Sequence, residues 1–260
     1  MNDLVRANAA TAAEWPDLVD ELDRWGEAGR VATLWWRDDD AVTATPQLDD
    51  LLSLAGGIHV GLAVIPARAR PELADALQGA PDVAVLQHGW QHANRAANGR
   101  KSEYPEGRPA AVVAAEVGAG RDRLKALFGS RALPVLVPPW NRFAGEFLPL
   151  LPAAGIAGLS AMASRRETVP SPALRRTDVH VDVVAWRGGR GFVGNAAALS
   201  TLVGCLQARR LGVAAMSGPI GILTHHLIMD DGTAAFLDRL IALTAAHAAA
   251  RWANITELLQ

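Results

Sequence analysis

The sequence predicts a parallel α/β barrel, and three observations carry that prediction. Short apolar or β-branched runs alternate with helix-patterned segments along the 260 residues, the order that builds a parallel sheet covered by helices rather than a bundle or a sandwich. Half the residues are hydrophobic and a fifth are charged, enough for one large core and far from a disordered composition. Chemically capable side chains cluster just past the apolar runs, where a parallel barrel presents its reactive groups. The length suits a single domain over 1–260.

The start of the chain is acidic and helix-patterned, with a helix expected over 16–28. It lacks the basic flank and apolar stretch of a secretory signal, and no eighteen-residue apolar run follows, so a cytoplasmic protein without a membrane partner is expected. Strands are expected at "VATLWW" (Val31–Trp36), "IHVGLAVI" (Ile58–Ile65), "VAVLQ" (Val83–Gln87), "PVLV" (Pro134–Val137), "IAGLS" (Ile156–Ser160), "HVDVVAW" (His180–Trp186) and "IGILT" (Ile220–Thr224). Helices are expected at 46–55, 70–78, 110–128, 144–153, 195–210 and 232–250. The last is amphipathic and alanine-rich and carries His247 as a surface or interhelix histidine. About seven βα units result, closed or nearly closed into a barrel. Two polar, proline-bearing stretches, Asn94–Pro109 and Arg165–Asp178, read as surface loops.

Composition removes several function classes. With 25 basic and 27 acidic residues the chain has no strong positive field for nucleic acid. Cys205 is the sole cysteine, so an internal disulfide and a thiolate-rich zinc cluster are both excluded, and any zinc must take nitrogen and oxygen ligands. The glycines of "GGRGFVGN" (Gly188–Asn195) have neither P-loop nor dinucleotide-fingerprint spacing, so no nucleotide cofactor is expected.

Five of the seven expected strands end in reactive groups: "RDDDA" (Arg37–Ala41), "HGWQH" (His88–His92), "PPWNR" (Pro138–Arg142), "DVVAWRGG" (Asp182–Gly189) and the pair His225, His226. Three successive aspartates repel one another unless a cation or an arginine lies close. Two neutral imidazoles and one carboxylate make a ligand set for catalytic zinc with a position left open, and His88, His92 and one of the aspartates fit it. Each signal alone has a plainer meaning. Histidines four apart share one helix face and can simply pack, and an acidic run before a predicted helix is an ordinary N-terminal signal.

In order and at similar intervals from about Val31 to His226, these motifs resemble those of the polysaccharide deacetylases, carbohydrate esterase family four with the NodB-homology fold. The resemblance implies a distorted (β/α)7–8 barrel and a divalent metal ion, with zinc the expected one. "RDDDA" is similar to the family's Thr-Phe-Asp-Asp-Gly, which makes Asp39 the catalytic base and Asp40 a metal ligand. "HGWQH" resembles His-Ser/Thr-x-x-His and gives His88 and His92 as the other ligands. "VPPW" resembles Arg-x-Pro-Tyr/Phe, placing the oxyanion and substrate contacts on Pro139 and the Trp140 amide. "LTH" resembles Leu-x-His and gives His225 as the acid. "DVHVDVVAW" is only loosely similar to the fourth motif; Asp182, by its position near a neighbouring strand end, is the carboxylate expected to orient His225.

Two departures stand out. Val137 occupies the place of the third-motif arginine, so the partner of the base is expected from Arg37 or Arg142, and Gly89 replaces the hydroxyl residue that helps hold the histidine loop. The phase of the aspartates stays open, because Asp38 and Asp40 share a strand face opposite Asp39. Base and ligand are therefore Asp39 and Asp40, or Asp38 and Asp39 if the strand bends earlier, and the acid is His225 or His226. Trp90 and Trp140 are expected in the pocket, with Trp36 and Trp186 structural. The activity implied is metal-dependent removal of an acyl group, above all N-acetyl, from a carbohydrate or small acylated metabolite. Hydrolysis of another C–N bond such as a cyclic amide, or a sugar-binding barrel without turnover, are the alternatives.

Overall fold

A computed structural model describes residues 12–163, 174–212 and 218–259. Helix α1 (Trp15–Glu27) begins where the Glu14 N–H donates to Asp17 Oδ2 at 2.7 Å and Pro16 occupies the first turn, where its missing N–H costs nothing. The chain then alternates β1 (Ala32–Ala41), α2 (Pro46–Ala55), β2 (Val60–Val64), α3 (Pro71–Ala76), β3 (Val83–His88), α4 (Ala110–Phe128), β4 (Ala132–Val137), α5 (Leu150–Ala153) and β5 (Gly158–Leu159). It continues through β6 (Arg175–Arg176), β7 (Val179–Asp182), α6 (Asn195–Arg210), β8 (Ile220–Thr224), α7 (Asp231–Ala246) and β9 (Ala250–Trp252).

Every strand pair is parallel, in the order β6-β5-β4-β3-β2-β1-β8-β7, with β9 beside the start of β1. The sheet curls until the segment after β5 reaches β7. There Met162 bridges Val179, the Val179 N–H donates to Ala161 O at 2.9 Å, and the Ala163 N–H donates to Val179 O at 2.8 Å. The result is a distorted (β/α) barrel, as expected. Its interior holds Trp35, Ala63, Leu86, Val135, Val137, Val179 and Leu223 from the strands, with Ala253 and Ile255 of the C-terminal segment. The opposite sheet face packs Leu34, Trp36, Leu62, Val64 and Ile222 against α1, α2, α6 and α7. Strand alternation therefore sends Trp35, Arg37 and Asp39 inward, and Trp36 and Asp38 toward the helices.

The seven expected strands are all present, and five expectations need correction. β1 does not stop at Trp36 but carries the aspartates to Ala41, so the acidic run is strand and not a loop or helix start. The last helix ends at Ala246, and residues 250–252 become β9, because the first residues of β1 present an open edge that Ala250–Trp252 pairs. Only Leu150–Ala153 of the expected 144–153 helix is α-helical, since Pro149 and Pro152 lack the N–H that a longer helix requires. The 94–109 loop is not wholly at the surface, for Ser102, Glu103 and Tyr104 are buried and the Tyr104 ring packs on Phe143 at 5.1 Å. Of the expected 165–178 loop, residues 165–173 lie outside the described ones, while Arg175–Arg176 forms β6.

One half-buried imidazole makes the barrel wall sensitive to acid. His180 on β7 accepts the Gly221 N–H at Nδ1 (3.0 Å), and the Arg209 Nη2 lies 2.8 Å from its Nε2. Burial, reinforced by the Arg209 charge, pulls its pKa down to about 3. The folded state thus resists protonation between that value and the ordinary 6.5, while the unfolded chain accepts the proton, so stability falls as the pH drops through this window. At pH 5 the loss from this residue is about 2 kcal/mol, at 1.36 kcal/mol per unit below 6.5. Urea denaturation at pH 7 and pH 5 should show that a His180→Gln protein, uncharged at both, loses correspondingly less stability than the parent.

Candidate active site

The site forms at the carboxyl end of β1, where the strand loses register between Asp38 and Ala41 and Asp40 adopts a left-handed φ of 75°. Asp39 continues the inward row and Asp38 the outward row, so the turn at Asp40 separates three neighbouring carboxylates into three environments. Asp38 accepts hydrogen bonds from Thr224 Oγ1 (2.6 Å), the His226 N–H (2.9 Å) and His226 Nδ1. Asp39 pairs with the Arg37 guanidinium, whose Nη2 donates to Oδ2 at 2.9 Å while Nε lies 2.9 Å from Oδ1 as an ion contact without hydrogen-bond geometry. Asp40 Oδ1 lies 3.1 Å from His88 Nε2 and 3.3 Å from His92 Nε2.

His88 ends β3 and is buried, with its Nδ1–H donating to Val137 O at 3.0 Å. That bond assigns the proton of a neutral ring to Nδ1 and leaves a lone pair on Nε2, pointed at a carboxylate oxygen. Two lone pairs at 3.1 Å repel unless a proton or a cation lies between them. Burial alone would lower His88, yet the charge of Asp39 and the contact with Asp40 raise it above its usual value. Burial likewise works to raise Asp40, but the hydrogen bond and charge of His88 and the ring of His92 take its carboxyl well below the ordinary range. His92 is lowered by burial and by His88 beside it. One ligand atom from each of Asp40, His88 and His92 lies within 4.8 Å of the others. This donor set, two imidazole nitrogens and a carboxylate oxygen, fits a divalent ion with positions to spare.

Among the described residues, five that are not glycine have positive φ: Asp40, His92, Trp140, Asn141 and Arg190. The first four lie at this site. Such conformations cost about 1–3 kcal/mol each and persist where the surroundings over-determine them. Trp140 and Asn141 sit in the short turn Pro139–Asn141, and the Trp140 ring packs on His92 at 4.3 Å between centroids.

The structure places the remaining sequence-derived residues unevenly. Arg37, fully buried, meets Asp39 and is itself held by Ser160 Oγ (2.8 Å) and Asn141 Oδ1 (2.7 Å). Arg142 is not with Asp39: its Nη1 donates to Lys101 O at 2.9 Å, because the extended backbone after Asn141 carries it out of the barrel mouth. His226 turns away to Asp38, and that contact raises it although burial opposes the shift. His225, 8 % exposed, is close enough to influence both Asp40 and Asp182. Asp182 makes no hydrogen bond to His225. It accepts instead from the Val184 N–H (3.0 Å) and Trp186 Nε1 (2.7 Å), and burial raises its carboxyl above the ordinary value despite these bonds.

Trp186 was expected to be structural, yet it is 48 % exposed and stands edge-on to His225 at 4.8 Å, so Asp182 reaches the imidazole through this indole. Trp36 is structural as expected, buried and donating to Thr224 Oγ1 at 2.8 Å. Trp90 is half-buried in the histidine loop. Sequence reasoning missed Asn141 and Ser160, which hold Arg37, and Glu103, which holds the histidine loop. Only the proximity of Asn141 to the third motif offered a signal.

No family model and no curated protein sequence matches the chain. Solved structures do resemble it. One is a putative polysaccharide deacetylase from Mycobacterium smegmatis, with a TM-score of 0.63 at 18 % identity over 97 % of this chain and 93 % of that one. Another is a family 4 acetyl xylan esterase from Clostridium thermocellum in complex with a cobalt ion, TM-score 0.55 at 10 % identity over 87 % and 89 %. A third is a peptidoglycan N-acetylglucosamine deacetylase, TM-score 0.52 at 15 % identity over 91 % and 95 %. The chain is thus a parallel α/β barrel with a candidate metal centre at its carboxyl mouth. More narrowly, its fold is that of the polysaccharide deacetylases and family 4 carbohydrate esterases. No helix among the described residues is long and apolar enough to cross a membrane.

Proposed function

We propose that the chain, as one catalytic domain, is a divergent polysaccharide deacetylase that removes an acyl group, N-acetyl above all, from a carbohydrate or a small acylated metabolite. The observation that carries this reading is the convergence of Asp40, His88 and His92 from two strand ends, with a second carboxylate, Asp39, beside them on its own arginine. A binding barrel has no use for that fourth group. Asp40, His88 and His92 would hold a divalent ion, zinc for preference given the nitrogen and oxygen donors. The ion supplies Lewis acidity, making water more acidic and polarising a carbonyl oxygen.

Asp39 is the base that takes the proton of the attacking water. Arg37 holds it by a hydrogen bond to Oδ2 and by its charge beside Oδ1, the part played in the family by a third-motif arginine that Val137 here replaces. Pro139 and Trp140 line the substrate side, and the left-handed Trp140 turn presents its amide to the developing oxyanion. His225 is the acid that protonates the departing amine, with Asp182 and Trp186 steadying its ring.

The test is release of acetate from acetylated amino sugars and acetyl esters by the zinc-loaded protein. Binding of sugar without acetate sinks the catalytic reading in favour of a binding barrel. A His225→Gln protein should keep its zinc and lose about 10²–10⁴-fold in kcat, the usual contribution of a positioned acid. Parallel metal analysis and steady-state kinetics on that protein check both halves of the expectation.

A further inference from the structure

We infer that Glu103 is the positioning residue that shapes the His88–His92 loop for its metal, doing from outside the loop what a hydroxyl at position 89 does in the family this chain resembles. The inference rests on reading Asp40, His88 and His92 as a metal site.

Glu103 is 1 % exposed, and its carboxylate spans the loop. Oε2 accepts the Trp90 N–H at 3.0 Å, and Oε1 accepts the Gln91 N–H at 2.8 Å and the Ala93 N–H at 3.3 Å. Three backbone amides within four residues converge on one anion, a concave arrangement that a single hydroxyl could not satisfy. Bonds to a carboxylate are about twice as strong as those between neutral groups. Held this way, the loop can keep His92 at its left-handed φ of 57°, from which its ring reaches Asp40.

Glu103 is itself anchored. Its carbonyl accepts from Arg108 Nη1 at 2.9 Å, and Arg108 is clamped through both terminal nitrogens by Glu116 (2.9 and 2.8 Å). Position 89 completes the device. Gly89 has φ 59°, and a Cβ there would overlap Glu103 Oε2 and lie 2.6 Å from Pro139 Cδ. Glycine at 89 and glutamate at 103 are therefore one solution, and a serine at 89 is incompatible with it.

Glu103→Gln keeps the volume but leaves one acceptor oxygen where two were used, turning an NH2 group toward backbone donors. Zinc affinity, measured by competition with a chromophoric chelator, should weaken 10–100-fold, the range seen when a group supporting metal ligands is lost. The visible absorption of the cobalt-loaded protein should shift as the histidine geometry relaxes. Gly89→Ser, although it installs the family's residue, should weaken zinc binding rather than strengthen it. Glu103→Asp, which shortens the reach by one methylene, serves as the second variant if Glu103→Gln does not fold by circular dichroism. Wild-type zinc affinity and an unchanged cobalt spectrum in a folded Glu103 variant overturn this inference alone. A parent protein that binds neither ion overturns the metal reading, and this inference with it.

Discussion

A His88→Ala protein is expected to lose zinc binding and, with it, acetate release, by at least about 10³-fold, or about 4 kcal/mol of barrier. The size follows from the geometry. His88 is the most buried of the three candidate ligands, and its ring is locked by Val137 so that Nε2 faces Asp40. Removal leaves one imidazole and one carboxylate, too few donors for a firm hold. The measurement has a readout independent of turnover, since zinc at a hundred times its Kd should stabilise the parent by about 2.7 kcal/mol and leave the variant unmoved. Full metal content and activity in His88→Ala would remove the basis of the proposed function.

The second large effect is expected at Arg37. Its guanidinium lies wholly inside the barrel, engaging Asp39 with Nε and Nη2, Ser160 with Nη1 and Asn141 with Nη2. Arg37→Leu leaves the Asp39 carboxylate buried without its partner, and breaking a buried pair on one side costs about 3–5 kcal/mol. Leucine also gives up the bonds that hold the Asn141 turn, so Trp140 should shift and activity fall together with stability. The double variant Arg37→Leu/Asp39→Asn removes both charges and should recover much of the stability without recovering activity. Arg37→Lys should stay inactive, because one ammonium cannot reproduce the two-pronged contact. Urea denaturation alongside acetate release separates these outcomes, and a stable, active Arg37→Leu protein would discount the role given to this arginine.

Legibility in the sequence followed the range of the physics. The seven barrel strands were visible because each is a short apolar run bounded by turns, and α1, α2, α4 and α6 because their periodicity is local. β9 was not visible, since nothing in "ARW" distinguishes a helix end from a strand until the edge of β1 is there to pair it. Among site residues, the histidines and aspartates announced themselves by type and spacing. Glu103 did not, because a glutamate in a polar loop reads as solvated, and only folding closes the loop so that three amides 10 to 13 residues earlier converge on it.

By itself the sequence determined the parallel α/β barrel and which strand ends carry chemistry, for both depend on hydrophobic order along the chain. It also excluded a thiolate-rich metal cluster, since it holds a single cysteine. Tertiary structure alone decided which aspartate faces which partner. Alternation along β1 sends Asp38 to His226 and Asp39 to Arg37, and a single left-handed residue, Asp40, breaks that alternation and turns its own carboxylate to the histidines. The choice of Arg37 over Arg142, and the outward turn of His226, depend likewise on contacts between segments about 100 to 190 residues apart. Strand periodicity cannot report these, because it contains no information about what stands across the barrel.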